Sequence, residues 1–138
     1  MRSLFASFAL VLVPASISSQ TLSPEQVIRR IIETGTFEGQ DQKIIGGMGD
    51  AAAIVVTRVL AGRAVGTAEI DSVLVVLDSC FADPSMVTAA DREPRTALFV
   101  LRSMDSSTTD TKLKQRIADT RNRIMERFTK YMRSRAVH

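Results

Sequence analysis

Apolar residues recur along this chain with the 3.6-residue period of amphipathic helices, and capping or glycine-containing segments interrupt them at regular intervals. Ser23-Pro24-Glu25-Gln26 is a helix start. Ser23 can accept from the first turn, Pro24 sits where its missing N–H has no partner to lose, and Gln26 completes a capping box. Val27, Ile28, Ile31 and Ile32 then share a face, and Gly35 stops the helix. The polar stretch 36–42 reads as a loop. Asp50, placed as an N-cap, opens a second helix over Ala51 to Ala61, ended by Gly62. A third begins at Thr67, aligns Ile70, Val73, Leu74, Leu77 and Phe81, and closes at Asp83-Pro84. A second loop, 85–92, leads to Pro94 and a helix ending near Met104. Asp110 caps a long last helix that reaches about Ser134.

Two runs, Ile54-Val55-Val56 and Leu98-Phe99-Val100-Leu101, are short enough to be buried strands. Each nevertheless follows a helix start signal and lies in a segment of about eleven residues, longer than a typical strand. Read as helices they are apolar nearly all round, which predicts that they form the most buried layer. The fold class expected is therefore all-α.

A longer period overlies the helical one. Helix starts at Ser23, Thr67 and Asp110 are separated by 44 and 43 residues, and the two apolar helices start at Asp50 and Glu93, 43 apart. Two helices per repeat of this length is the spacing of a helical solenoid. Gly46-Gly47-Met48-Gly49-Asp50-Ala51-Ala52, running on to Val59-Leu60, resembles the Gly-Asp-Ala junction that opens the second helix of HEAT-type repeats. The resemblance covers about residues 44–104. The equivalent junction, Asp91-Arg92-Glu93-Pro94-Arg95, lacks the Gly-Asp pair. Such a resemblance implies a short right-handed stack of antiparallel helix pairs, α-solenoid-like, which binds other proteins. The long C-terminal helix would cap the stack, because an open solenoid end exposes apolar surface.

At the N-terminus the pattern changes. Arg2 precedes an uncharged run from Leu4 through Val13, then Pro14 and the small residues Ala15, Ser16, Ser18 and Ser19. That order is the signature of a secretory leader cleaved after Ser18 or Ser19. Ten apolar residues in a helix cover roughly 15 Å, about half a bilayer core, so a permanent span is disfavoured. The expected organisation is a signal peptide over 1–18 and a single helical-repeat domain over 19–138, exported to the periplasm or secreted. With 138 residues there is room for one real core. Cys80 is the only cysteine, so no intramolecular disulfide supports it; at the edge of an apolar face it is expected as a small buried hydrophobe.

Composition removes several chemistries. The single histidine is His138 and there is one cysteine, so a zinc or blue-copper site and a histidine-based hydrolase have no ligand or base set. Asp71 and Asp78 share a helix face, but read more simply as solvation than as an acid–base pair. Gly47-x-Gly49-x-x-Ala52 has the form of a dinucleotide-binding turn, yet lacks a preceding strand long enough and room for a doubly wound sheet. No enzyme activity, cofactor or metal is therefore expected. With six Phe, one Tyr and no Trp, base stacking is poorly supplied, and nucleic acid is disfavoured as a partner.

Charge is where the sequence points to a surface. From Lys112 to Arg135 nine basic residues face only Asp119 and Glu126, whereas 19–111 holds eight basic and thirteen acidic residues. On a helical wheel Leu113, Ile117, Thr120, Ile124, Phe128 and Tyr131 form an apolar stripe. Lys112, Arg116, Arg123, Arg127 and Lys130 occupy a neighbouring sector about 60° wide. These five are the candidate partner-binding residues. The plainer alternative is a solvated face steadied by the i,i+4 pairs Asp119–Arg123 and Glu126–Lys130 and by the helix dipole. Two functions follow as expectations. One is an exported protein-interaction module; the other is an electrostatic binder of an anionic lipid surface or acidic envelope polymer.

Overall fold

The structure, a computed structural model, describes residues 22–136; the expected leader over 1–18 and His138 lie outside the described residues. All regular elements among them are helical. The expected capping box forms at the start of α1 (Pro24–Thr34): Gln26 N–H donates to Ser23 Oγ at 3.2 Å, and Ser23 N–H donates to Gln26 Oε1 at 2.8 Å. Gly35 ends it at φ 76°, donating to Ile31 O at 2.8 Å. At the other end of the chain Asp110 Oδ1 accepts from Lys112 and Leu113 N–H at 2.9 and 3.3 Å and starts α7 (Thr111–Ala136).

Both expected loops contain helical turns. α2 (Gly39–Ile45) occupies most of the first. Only Ile44 and Ile45 are apolar there, too few to print a period. Ile45 anchors its C-terminal end in the core, and a polar contact holds the other: Asp41 is buried, accepts from Glu38 N–H at 2.8 Å, and is ion-paired with Arg30 of α1. In the second, Pro84–Met86 forms a 3₁₀ turn and α5 (Ala89–Arg92) a single α turn. Asp83 opens the 3₁₀ turn, and the Ser85 hydroxyl and N–H beside its carboxylate hold that group below the ordinary aspartate range.

Asp50 does not cap its own helix. The residue before it, Gly49, takes the N-cap position of α3 (Asp50–Leu60). The Asp50 carboxylate instead spans to α6 (Arg95–Ser107), accepting from Thr96 N–H and Ala97 N–H at 2.9 Å each. It thus satisfies two of the four N–H groups that a helix start leaves without intrahelical partners. Pro94, at the N-cap position of α6, has no side-chain acceptor for them.

α1 packs against α2, α3 and α4 (Thr67–Cys80); α4 packs against α7; α3 packs against α6, and α6 against α7. The result is a row α1–α4–α7 lying over a pair α3–α6. α3 and α4 are the most buried helices: α4, held between α1, α3 and α7, has Ile70, Val73, Leu74, Val76, Leu77 and Cys80 interior, and α3 has Ala52, Ala53, Val55, Val56 and Val59. The expectation of a deeply buried helix holds for α3, although Ile54 is 43% exposed. It is corrected for α6, where only Ala97, Val100, Leu101 and Met104 are buried and Phe99 is 64% exposed. An apolar period cannot distinguish a helix covered on all sides from one covered on two.

Every buried side-chain nitrogen and oxygen among the described residues has a hydrogen-bond partner. Cys80 is fully buried, its Sγ donating to Leu77 O at 3.4 Å. Burial pushes its thiol far above the usual range, and the Asp50 charge adds to this. The native protein is therefore expected to show no reaction with a thiol reagent at pH 8, and one equivalent once unfolded. Prompt labelling of the native protein would contradict this burial.

Candidate functional site

The basic sector of α7 is built as the wheel requires: Leu113, Ile117, Thr120 and Ile124 are buried, and the charged residues flank them. Where the guanidinium groups go was not visible in the helix itself. Arg116 is ion-paired with Asp71. Arg123 Nε lies 3.2 Å from Asp78 Oδ1, and Arg127 donates to the same oxygen at 3.0 Å and to Asp78 O at 3.3 Å. Asp71 and Asp78 are two turns apart on α4, so they present one carboxylate to each end of the arginine row. The acidic face of α4 and the basic sector of α7 thus meet across the helix contact.

Lys112 and Lys130 complete the predicted five; both are exposed, and neither has an ion-pair partner among the described residues. The expected i,i+4 pairs are not formed. Asp119 accepts instead from Gln115 Nε2 at 2.8 Å, while Arg123 turns to Asp78. Asp78 is only 33% exposed and sits between two arginines, a less screened position than a solvent-facing pair on one helix. Three of the five charges are thus engaged within the protein, and the shallow cleft of about 210 Å³ beside them, between Leu74, Val75 and Thr120, is partly neutralised by Asp78 and Asp119.

Loop 85–92 is fixed to the same helix. Arg92 donates to Pro84 O at 3.2 Å and Val87 O at 2.8 Å, and its guanidinium lies 4.7 Å from the Tyr131 ring centroid. Such a cation–π contact contributes about 0.5–1 kcal/mol at an exposed site.

The glycine-rich junction is a packing device. Gly49 has φ 58° and ψ −136°, and its N–H donates to Cys80 O at 3.1 Å. A Cβ there would lie 2.3 Å from Asp91 O and 2.3 Å from Val87 Cγ1. A phosphate cradle needs free N–H groups facing open space, and this turn has spent that N–H and filled that space.

A second surface was hidden from pattern reading. Between the C-terminal halves of α3 and α6 runs an open groove of about 420 Å³, lined by Thr57, Leu60, Ala61, Val65, Phe99, Val100, Ser103, Met104 and Ser107. No charged residue lines it. Of its lining residues, Phe99 is 64% exposed and Val65 36%. The available signal was Phe99 itself: an aromatic in a helix whose opposite face already supplies Ala97, Val100, Leu101 and Met104 to the core.

Among the described residues no group of three or more His, Cys, Asp or Glu is placed to hold a metal ion, and no helix is long and apolar enough to cross a membrane. No protein-family model, no curated protein and no solved structure matches the chain.

Proposed function

We propose that this chain is an exported, non-catalytic protein-interaction module, a short helical-repeat stack similar to HEAT-type repeats with α7 as its cap. The observation that carries the proposal is the uncharged apolar groove between α3 and α6 with Phe99 exposed among its lining residues. Contiguous exposed apolar surface on an otherwise satisfied body marks an interaction site more readily than a reaction site. The stack reading is supported by the α1–α4–α7 row over α3–α6 and by Asp50, which ties the start of one inner helix to the next. Export rests on the 1–18 leader pattern.

Electrostatic binding of an anionic lipid or envelope polymer is the second reading, favoured by the two unpaired lysines, Lys112 and Lys130. It is weakened by the engagement of Arg116, Arg123 and Arg127 with α4.

The test is capture by the immobilised chain from envelope and secreted fractions, washed at low and then high salt. The expected result is a discrete protein that survives high salt and is lost with Phe99→Asp. Lipid or polymer released by salt, and lost with Lys112→Glu plus Lys130→Glu, would replace the first reading with the second. Those two substitutions leave the α4–α7 ion pairs untouched, which reversing the arginines would not.

A further inference from the structure

We infer that Arg92 and Arg135, which converge on the ring of Tyr131, form a binding site for a phosphate-type dianion. The site shares no residue with the α3–α6 groove, so the inference stands apart from the interaction reading.

The first argument is uncompensated charge. The Arg92 guanidinium lies 4.7 Å from the Tyr131 ring centroid and that of Arg135 lies 6.0 Å from it. They come from different elements, α5 and the last turn of α7. Neither is ion-paired with another described residue. The carboxylates of the 83–92 segment are turned elsewhere: Asp83 accepts from the Ser85 hydroxyl at 2.7 Å, and Asp91 from the Thr88 hydroxyl at 3.2 Å. Asp78, the acid that Arg127 reaches, already serves Arg123 as well. Two like charges held near one point repel until a counter-charge joins them. The helix dipole accounts for cations in the last turn of α7, where Arg133 also lies, but not for Arg135 sharing a ring with Arg92.

The second argument is donor supply. A guanidinium carries five N–H donors. Arg92 spends two, on Pro84 O and Val87 O, which fixes the group in place and leaves the others for a ligand. Arg135 is exposed, and Tyr131 contributes a hydroxyl that can donate.

The third argument selects the anion. Donors arriving from two elements suit a tetrahedral group, whose oxygens accept from several directions at once. Two uncompensated positive charges also match a phosphate group, about −1.5 to −2 at pH 7, better than a singly charged carboxylate.

Tyr131 is the only tyrosine and the chain has no Trp, so intrinsic fluorescence reports on this ring alone. The experiment titrates the full chain with inorganic phosphate from about 0.1 to about 50 mM at an ionic strength held with chloride, a range bracketing millimolar dissociation. Wild type is expected to show a saturable change. Arg135→Gln should weaken binding about tenfold or more, the loss of one charged fork. Arg92→Gln should do the same, with circular dichroism confirming the helical fold of each variant. Arg133→Gln removes an equal charge from the same turn and should leave the affinity within about twofold. A second arm adds vesicles of phosphatidic acid, with phosphatidylcholine vesicles as reference. Saturation by free phosphate assigns the site to a soluble ion or ester; a response to phosphatidic acid alone, lost with Arg135→Gln, assigns it to a lipid headgroup. Only linear, collisional quenching in both arms would overturn the site. So would equal weakening by Arg133→Gln and Arg135→Gln, and acetate acting as well as phosphate would overturn the class of ligand.

Discussion

Gly49→Ala is expected to destabilise the protein by about 3–5 kcal/mol, enough to leave a domain of this size largely unfolded or close to it. Two independent costs combine. The backbone at φ 58° and ψ −136° lies where essentially only glycine is comfortable, a strain of about 1–3 kcal/mol for any other residue. The added Cβ would also sit 2.3 Å from the Asp91 carbonyl oxygen and from Val87 Cγ1. Asp91 belongs to a segment held to α7 by Arg92, so the carbonyl cannot retreat without disturbing that contact. Overpacking of this kind costs about 1–3 kcal/mol more. Gly35→Ala is the internal comparison: its φ is also positive, at 76°, but nothing lies within 4 Å of its Cβ position. It should cost only about 1 kcal/mol, the left-handed penalty alone. Urea unfolding of both variants measures the difference. Equal losses would mean the clash at Gly49 relaxes freely.

Asp50→Ala is expected to cost about 2–3 kcal/mol, above the usual loss of an N-cap. The carboxylate accepts from two N–H groups of α6 and is only 8% exposed, so removal leaves both donors unsatisfied beside the core. Pro94, immediately before α6, offers no side-chain acceptor in its place. Asp50→Asn keeps one acceptor and should lose about half as much. The urea midpoint should fall with the slope unchanged, because the surface exposed on unfolding is the same. A loss below about 0.5 kcal/mol for Asp50→Ala would show that water replaces the cap.

Both variants act at the glycine-rich junction that leads into α3. The glycine allows close approach of the 84–92 segment, and the aspartate reaches the start of α6. Their spacing of one residue puts both tasks at a single corner of the fold.

Much of the fold was legible in local chemistry. The Ser23 capping box, the Gly35 stop and the Asp110 cap act within a few residues of themselves, so their outcome does not depend on what packs nearby. The long helices with clear apolar stripes appear for the same reason. The first loop was misread because α2 is too short to show a period and is held by Ile45 in the core and by the Asp41–Arg30 pair, both contacts between helices. The role of Asp50 was misread because a good N-cap residue can serve a helix other than its own.

The candidate site divides the same way. Sequence alone placed Lys112, Arg116, Arg123, Arg127 and Lys130 on one sector of α7, since helical geometry fixes that at any location. It also placed Asp71 and Asp78 on one face of α4. Only the tertiary structure brought these two faces together, turning most of an apparent anion-binding stripe into ion pairs. Likewise the sequence determined that α3 and α6 are apolar nearly all round, while packing decided which side is covered. Residue spacing sets the direction of a side chain from its own helix axis; what it meets there depends on a partner helix that lies tens of residues away in the chain.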